Sequence, residues 1–310
     1  MSPSPSSQLG QEADGETGLR GLLRRQRLPA KPNPTGTKLA GQTAIVTGGN
    51  GGLGFEASRQ LLRLGLAHLV VAVRSEAKGQ DAAARLRTEF PSATISVMLV
   101  DMGSYDSIQA FVARCQADLP RIDIVILNAA LQKGKREIDP ITHHELTFQV
   151  NYVSTALLTV LILPVLRAKH RVGEPLARLA VVGSDIVYLS GLDAKAPSVF
   201  GLADNATGWF NPVTAYALGK HALLLFVARL AQQMGSPDQT GVVLSVVNPG
   251  LTKGTSLAHE HSVLIQLPGI ALAALLGRSL EHGASTYIHA VVVQGAESHG
   301  SFCSDWTIKP

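Results

Sequence analysis

From residue 41 onward the chain alternates short apolar runs with longer stretches in which apolar positions recur every three or four residues. The runs are TAIVT (43–47), HLVVAV (68–73), TISVMLV (94–100), IDIVIL (122–127), RLAVVG (178–183) and GVVLSVV (241–247). Each is apolar at successive positions, hence on both faces, as expected of strands in a parallel sheet covered on both sides. The intervening segments 53–64, 76–89, 104–117, 142–169 and 213–233 have the length of helices. Such alternation predicts an α/β fold: a doubly wound parallel sheet in three α/β/α layers. No internal repeat or linker divides the pattern, so residues 40–310 are read as one domain.

A doubly wound sheet binds its ligand outside the carboxyl ends of the strands. The residues that follow the apolar runs fit that rule: Gly48, Arg74, Asp101, Asn128, Ser184 and Asn248-Pro249-Gly250. The first of these junctions, TAIVTGGNGGLGFEASRQLL (43–62), reads strand, glycine loop, helix. Two registers are open. Gly49, Gly51 and Gly54 satisfy G-x-G-x-x-G, whereas Gly48, Gly52 and Gly54 satisfy G-x-x-x-G-x-G. Either lets the backbone turn tightly and approach a pyrophosphate at the helix N-terminus. Glycine alone is a weak signal, but its place after the first strand makes the segment a dinucleotide-binding candidate. An NAD site usually offers a carboxylate about 20 residues beyond the loop for the ribose 2′-hydroxyl. Here that place holds Arg74, with Lys78 one helical turn on, and two cations suit a 2′-phosphate better. NADP(H) is therefore expected in preference to NAD(H).

In TAYALGK (214–220), Tyr216 and Lys220 are four residues apart and share a helix face. By itself that spacing is common. Together with TGGNGGLG (47–54), VDM (100–102), LNAA (127–130), VNYVSTALL (150–158), VVGSD (181–185) and VNPG (247–250), in this order, the chain resembles the short-chain dehydrogenase/reductase family over residues 41–310. Its opening and its ending GSFCSDWTIKP are most similar to the retinol-dehydrogenase-like branch, which includes fungal reductases of secondary metabolism.

The resemblance implies a Rossmann-type NAD(P)-binding catalytic domain and a ketoreductase-type oxidoreductase. It implies that Tyr216 is the general acid, that Lys220 favours tyrosinate and holds the nicotinamide ribose, and that Ser184 donates to the substrate oxygen. It implies that Asn151 holds a water linking Lys220 to solvent. Cofactor contacts would come from Gly48, Asn50, Gly52, Leu53 and Gly54 in the loop, from Arg74 and Lys78, and from Asp101 and Met102 at the adenine. Asn128 and Ala129 would line the adenosine ribose; Tyr216, Lys220, Pro249, Gly250 and Thr252 would complete the site. Four positions depart from the family pattern: Ala130 and Gly219 replace a frequent Gly and Ser, Gly183 stands where a serine often precedes the catalytic one, and Gly254 occupies the register of a hydroxyl residue, leaving Thr252 or Thr255 to serve.

Between Ser184 and Tyr216 lie 31 residues, in which Tyr188, Phe200, Trp209 and Phe210 are candidates for an apolar pocket wall, with ordinary packing the alternative for each. Residues 251–277 are a candidate second wall or lid. The expected partner is an apolar carbonyl or alcohol substrate resembling a polyketide, terpenoid or retinoid, and the resemblance adds a homodimer or homotetramer. A catalytically silent NADP(H) sensor on the same fold is the alternative, and the intact Asn151–Ser184–Tyr216–Lys220 set argues against it. A sugar-nucleotide epimerase would need a larger C-terminal part.

Charge and composition change this picture little. The chain has 310 residues, 45% of them hydrophobic, and a net charge of +4, of which residues 1–40 carry +3. No basic face suited to nucleic acid remains on the domain. Residues 1–39 are read as a disordered or loosely attached extension; LRGLLRRQRL (19–28) could instead fold back onto the domain or touch a membrane peripherally. No apolar h-region follows, so no secretory signal is expected, and with only Cys115 and Cys303 present the expected location is cytoplasmic. Residues 153–166 and 263–277 are too short to span a bilayer. THHEL (142–146) and AHEHS (258–262) lack a third metal ligand, so no metal is expected, and NAT (205–207) is read as a surface feature.

Overall fold

The computed structural model describes residues 18–32, 36–171, 173–189, 198–204, 210–255 and 274–309. Its main elements in chain order are α1 (Gly18–Gln26), β1 (Thr43–Thr47), α2 (Gly52–Arg63), β2 (His68–Val73), α3 (Glu76–Glu89), β3 (Thr94–Leu99), α4 (Tyr105–Asp118) and β4 (Ile124–Leu127). They continue with α5 (Thr155–Lys169), β5 (Ala177–Val182), α6 (Val199–Asp204), α7 (Pro212–Met234), β6 (Val242–Asn248), α8 (Leu280–Ile288), β7 (Phe302–Ser304) and β8 (Thr307–Lys309). The strands form one sheet in the order β3-β2-β1-β4-β5-β6-β7-β8. Pairing is parallel from β3 through β7, and β8 alone is antiparallel. The chain winds outward from β1 to β3, then crosses back so that β4 lies on the other side of β1. This reversal opens a crevice at the carboxyl ends of β1 and β4, where such folds bind ligands.

Alternation along the strands explains the two cores. Ile45 of β1 joins α4, α5 and α7 through residues such as Phe111, Leu158 and Leu223. Its neighbours Ala44 and Val46 join α2, α3 and α8 through Leu61, Leu86 and Tyr287. All six predicted strands form. β3 differs in being an edge strand, with Leu99 exposed. The terminal pair β7–β8 is short and turns through Asp305 and Trp306, both left-handed (φ 53° and 58°). Three-residue strands leave no periodicity to read.

The predicted helix 142–169 begins later, at Leu146–Phe148, where the Glu145 carboxylate accepts from the Phe148 N–H at 2.8 Å. A π segment (Gln149–Ser154) then leads into α5. Leu146–Lys169 and Pro212–Met234 are long and apolar enough to cross a membrane by length and composition, but both cover the sheet and supply its core. Residues 18–26 follow the alternative reading and fold back onto the domain. They form α1, whose Arg25 and Gln26 are buried against the domain. Residues 1–17 lie outside the described residues, as do Trp209, the NAT and AHEHS stretches and residues 256–273.

Candidate active site

A cleft of about 1420 Å³ runs along the carboxyl ends of the strands. That exceeds the roughly 300–1,000 Å³ of an ordinary small-molecule pocket. At one end is the β1–α2 turn. Gly48 is left-handed (φ 66°), which glycine adopts without a Cβ penalty. A Cβ at Gly54 would lie 2.5 Å from the Gly48 carbonyl oxygen and 2.6 Å from Asn128 Nδ2, so this glycine serves close packing and does not line the cleft. Asn128 Nδ2 in turn donates to the Thr47 carbonyl at 2.9 Å, and the Ala129 N–H donates to Thr47 Oγ1 at 3.0 Å, which ties the β4 end to the loop.

Helix α2 starts without a side-chain cap, at an extended Gly51, whereas α3, α4, α7 and α8 are capped by Ser75, Ser104, Asn211 and Ser279. Asn50, Gly52 and Leu53 line the cleft at this uncapped terminus. Free N–H groups and the helix dipole make it suited to an anion. Arg74, Asp101 and Met102 line the same end. One oxygen of Asp101 is occupied by the Gly103 N–H at 2.8 Å. Lys78 is exposed and stands outside the cleft lining; its backbone N–H is part of the Ser75 cap of α3.

At the other end, Ser184, Tyr216 and Lys220 line one wall. α7 is started by Asn211, whose side chain accepts from the Val213 and Thr214 N–H groups, and this sets Tyr216 and Lys220 on successive turns. Lys220 is 2% exposed, and its Nζ donates to the Val182 carbonyl at 2.7 Å. Burial pulls its pKa down to about 7. The Tyr216 phenol is pushed up by burial and by the Asp185 charge, against the lowering effect of a hydrogen bond with Ser184. Asn151 sits in the π segment and pairs twice with the Leu131 backbone, its Nδ2 donating at 2.6 Å and its Oδ1 accepting at 2.9 Å. Extra turns of this kind recur at functional sites because they re-aim a side chain.

Two of the four departures from the family pattern have packing reasons. A Cβ at Gly183 would lie 2.5 Å from Val246 Cγ1, and one at Gly219 would lie 3.3 Å from Asn151 Cβ. Pro249, Gly250 and Thr252 line the cleft, but the Thr252 hydroxyl is bonded to the Gly250 carbonyl at 3.1 Å. Of the aromatic wall candidates, Tyr188 lines the cleft. Phe200 instead packs among the rings of His144, Phe148 and Tyr152, and Phe210 is not in the lining. His144 of the THHEL stretch pairs with Asp204 at 2.7 Å, and no metal-ligand cluster exists among the described residues.

Three contributors escaped the sequence reading. Tyr287 of α8 lines the cleft and donates to Asn128 Oδ1 at 3.3 Å. Asp185 lies directly after Ser184, its side chain 11% exposed, with its carboxyl pushed up by desolvation against the opposing Arg25 charge. Leu22 and Arg25 bring α1 into the cleft wall. No short motif marks Tyr287, Leu22 or Arg25, and Asp185 enters the sequence reading only as the last residue of VVGSD (181–185), with no role attached.

Comparison with known proteins agrees with this geometry. Residues 42–176 match the model of the short chain dehydrogenase family. The chain is 48% identical to the short chain dehydrogenase virL of Hypocrea virens, over 98% of this chain and 88% of that protein. It is 42% identical to the short chain dehydrogenase opdN of Penicillium oxalicum, over 98% of this chain and 100% of that one. Among solved structures, a putative short chain dehydrogenase from Escherichia coli complexed with NADPH superposes with a TM-score of 0.66 at 22% identity, over 88% of this chain and 99% of that one. On this sequence similarity and the shared fold, the chain belongs to the short-chain dehydrogenase/reductase family of oxidoreductases.

Proposed function

We propose that this protein is an NADP(H)-dependent ketoreductase that acts on the carbonyl or alcohol group of an apolar small molecule in fungal secondary metabolism. The observation that carries the reading is that the uncapped α2 terminus and the Ser184–Tyr216–Lys220 wall face one cleft. The residues fit a dinucleotide. Asn50, Gly52 and Leu53 would hold its pyrophosphate and Arg74 a 2′-phosphate. Asp101 and Met102 would flank the adenine, Asn128 and Ala129 the adenosine ribose, and Pro249, Gly250 and Thr252 the far side. When bound, the nicotinamide supplies or accepts the hydride.

The chain's own groups manage the proton and the charge. Burial pushes the Tyr216 phenol up, so it holds its proton at neutral pH and would pass it to a carbonyl oxygen only as negative charge develops there. Ser184, bonded to Tyr216, is placed to donate to the same oxygen as negative charge develops. Lys220 titrates near 7 and can take up or release a proton behind Tyr216, with Asn151 on the adjoining π segment. The cleft presents far more apolar than polar surface, which supports an apolar substrate. Val160 on α5 and Leu225 on α7 are exposed, and a homodimer or homotetramer would cover such apolar residues. A cytoplasmic site of action belongs to the same proposal.

The test is fluorescence titration of NADPH and NADH on the wild type and on Arg74→Ala. The expected result is a preference for NADPH that falls about 10–100-fold in the variant, as loss of a charge-assisted hydrogen bond predicts. Equal binding of both nucleotides by the wild type would remove the NADP(H) assignment; binding of neither would remove the dinucleotide site.

A further inference from the structure

The N-terminal helix α1 is joined to the catalytic end of the cleft by buried polar groups. Arg25 and Gln26 are 2% and 8% exposed. The Arg25 guanidinium lies 3.7 Å from Asp185 Oδ2 and 4.9 Å from the Tyr188 ring centroid. Asp185 and Tyr188 belong to the single 3-10 turn that follows Ser184. Gln26 grips the backbone after Pro249-Gly250: Oε1 accepts from the Leu251 N–H at 3.1 Å, and Nε2 donates to the Leu251 carbonyl at 2.7 Å and the Leu276 carbonyl at 3.2 Å. Arg278 bridges the same parts, donating to the Arg25 carbonyl at 2.7 Å and the Pro249 carbonyl at 3.1 Å while pairing with Asp305 at 2.5 Å. A Cβ at Gly250 would meet Gln26 Oε1 at 2.6 Å and Arg278 at 2.8 Å, so the loop and α1 are fitted to each other. Gly18, Leu22 and Arg25, spaced as one helix face, all line the cleft.

We propose that α1 is part of the substrate end of the active site, with Arg25 a positioning residue that holds the Asp185 turn and thereby Ser184, and with Leu22 a specificity-determining wall. The proposal rests on the reading of Ser184 and Tyr216 as the proton-handling pair. Burying two cations and two carboxylates seldom adds net stability, so stability alone is a poor account of this cluster. The groups facing Asp185 are Arg25 from α1, Arg278 from the segment before α8, Asp305 from the β7–β8 turn and Tyr216 from α7. Arg278 is engaged by Asp305, which leaves Arg25 to balance Asp185. Removing Arg25 takes the nearest cation from Asp185, which sits beside the Ser184–Tyr216 pair.

The experiment uses the full chain with Arg25→Gln, Arg25→Lys, Asp185→Asn, the Arg25→Gln/Asp185→Asn double variant and Leu22→Trp. Amide hydrogen exchange, which needs neither nucleotide nor turnover, should show Asp185–Leu189 and Leu251 losing protection in Arg25→Gln while β1 and β2 keep theirs. With turnover of an apolar ketone, Arg25→Gln should lose kcat on the order of 10²-fold, as misplaced catalytic groups do, with NADPH binding retained. Its pH–kcat profile should be displaced, Arg25→Lys should recover part of the loss, and Asp185→Asn should cancel the displacement. Leu22→Trp should raise KM by a larger factor than it lowers kcat. Unaltered exchange at Asp185–Leu189, or a pH profile superimposable on the wild type, overturns the proposal even where NADPH binding and turnover stand. Should Arg25→Gln fail to fold, an unchanged KM in Leu22→Trp overturns it.

Discussion

Lys220 reaches across the wall of the cleft to donate through Nζ to the carbonyl of Val182, at 2.7 Å, with its ammonium 5.7 Å from the Tyr216 ring centroid. The bond ties α7 to the end of β5, two residues before Ser184. One lysine thus fixes the distance between the two elements that carry Ser184 and Tyr216.

The same burial makes Lys220 a pH-dependent load on the fold. Its pKa is lowered by burial from the ordinary 10.5 to about 7. Between those values the unfolded chain binds one more proton than the folded one, so this group makes stability rise with pH through the window. Below it both states are protonated, and the folded state bears the full cost of the buried charge. Tyr216 has the opposite sign, because its raised pKa lets the unfolded chain lose a proton first, but only above its ordinary 10.0. Urea midpoints measured between about pH 7 and 9 should therefore climb in the wild type and climb less in Lys220→Met. Parallel slopes would show that Lys220 is not neutral in the folded state.

Under the proposed function, Tyr216→Phe removes the proton donor and preserves the ring. Turnover of an apolar ketone should fall about 10²–10⁴-fold, the usual contribution of a positioned general acid, with NADPH binding unchanged. Ser184→Ala should cost about 10²–10³-fold, in the range of one lost oxyanion donor. Stopped-flow single-turnover rates check both. A Tyr216→Phe enzyme that keeps wild-type turnover would place the acid elsewhere.

Gly183→Ser would restore a residue frequent at this place in the family, yet it should destabilise this chain. The added Cβ would lie 2.5 Å from Val246 Cγ1 on the neighbouring strand β6. Overpacking of this kind costs about 1–3 kcal/mol. Chemical denaturation reads the loss, and pairing the change with Val246→Ala should recover part of it. A Gly183→Ser protein as stable as the wild type would show that β5 and β6 can separate there.

The sheet and the glycine turn after β1 were legible because their signals are local. A parallel strand buried on both faces needs successive apolar residues, and a backbone that approaches both a helix N-terminus and a neighbouring side chain needs glycine. TAIVT, TGGNGGLG and the spacing of Tyr216 and Lys220 carry that information within a few residues. Tertiary structure decided the rest. Lys78 follows Arg74 by one turn, but α3 carries it out of the cleft. Phe200 is as apolar as a pocket wall requires, but it packs on Phe148 and Tyr152. The β7–β8 pair is too short to have a period, and its turn rests on left-handed Asp305 and Trp306. The polar, basic composition around Arg25 reads as solvated. Its place in the fold comes from Asp185, Leu251, Leu276 and Arg278, more than 150 residues away along the chain. Pairing across such separations depends on how packed elements bring charges together, and no local pattern of residues encodes it.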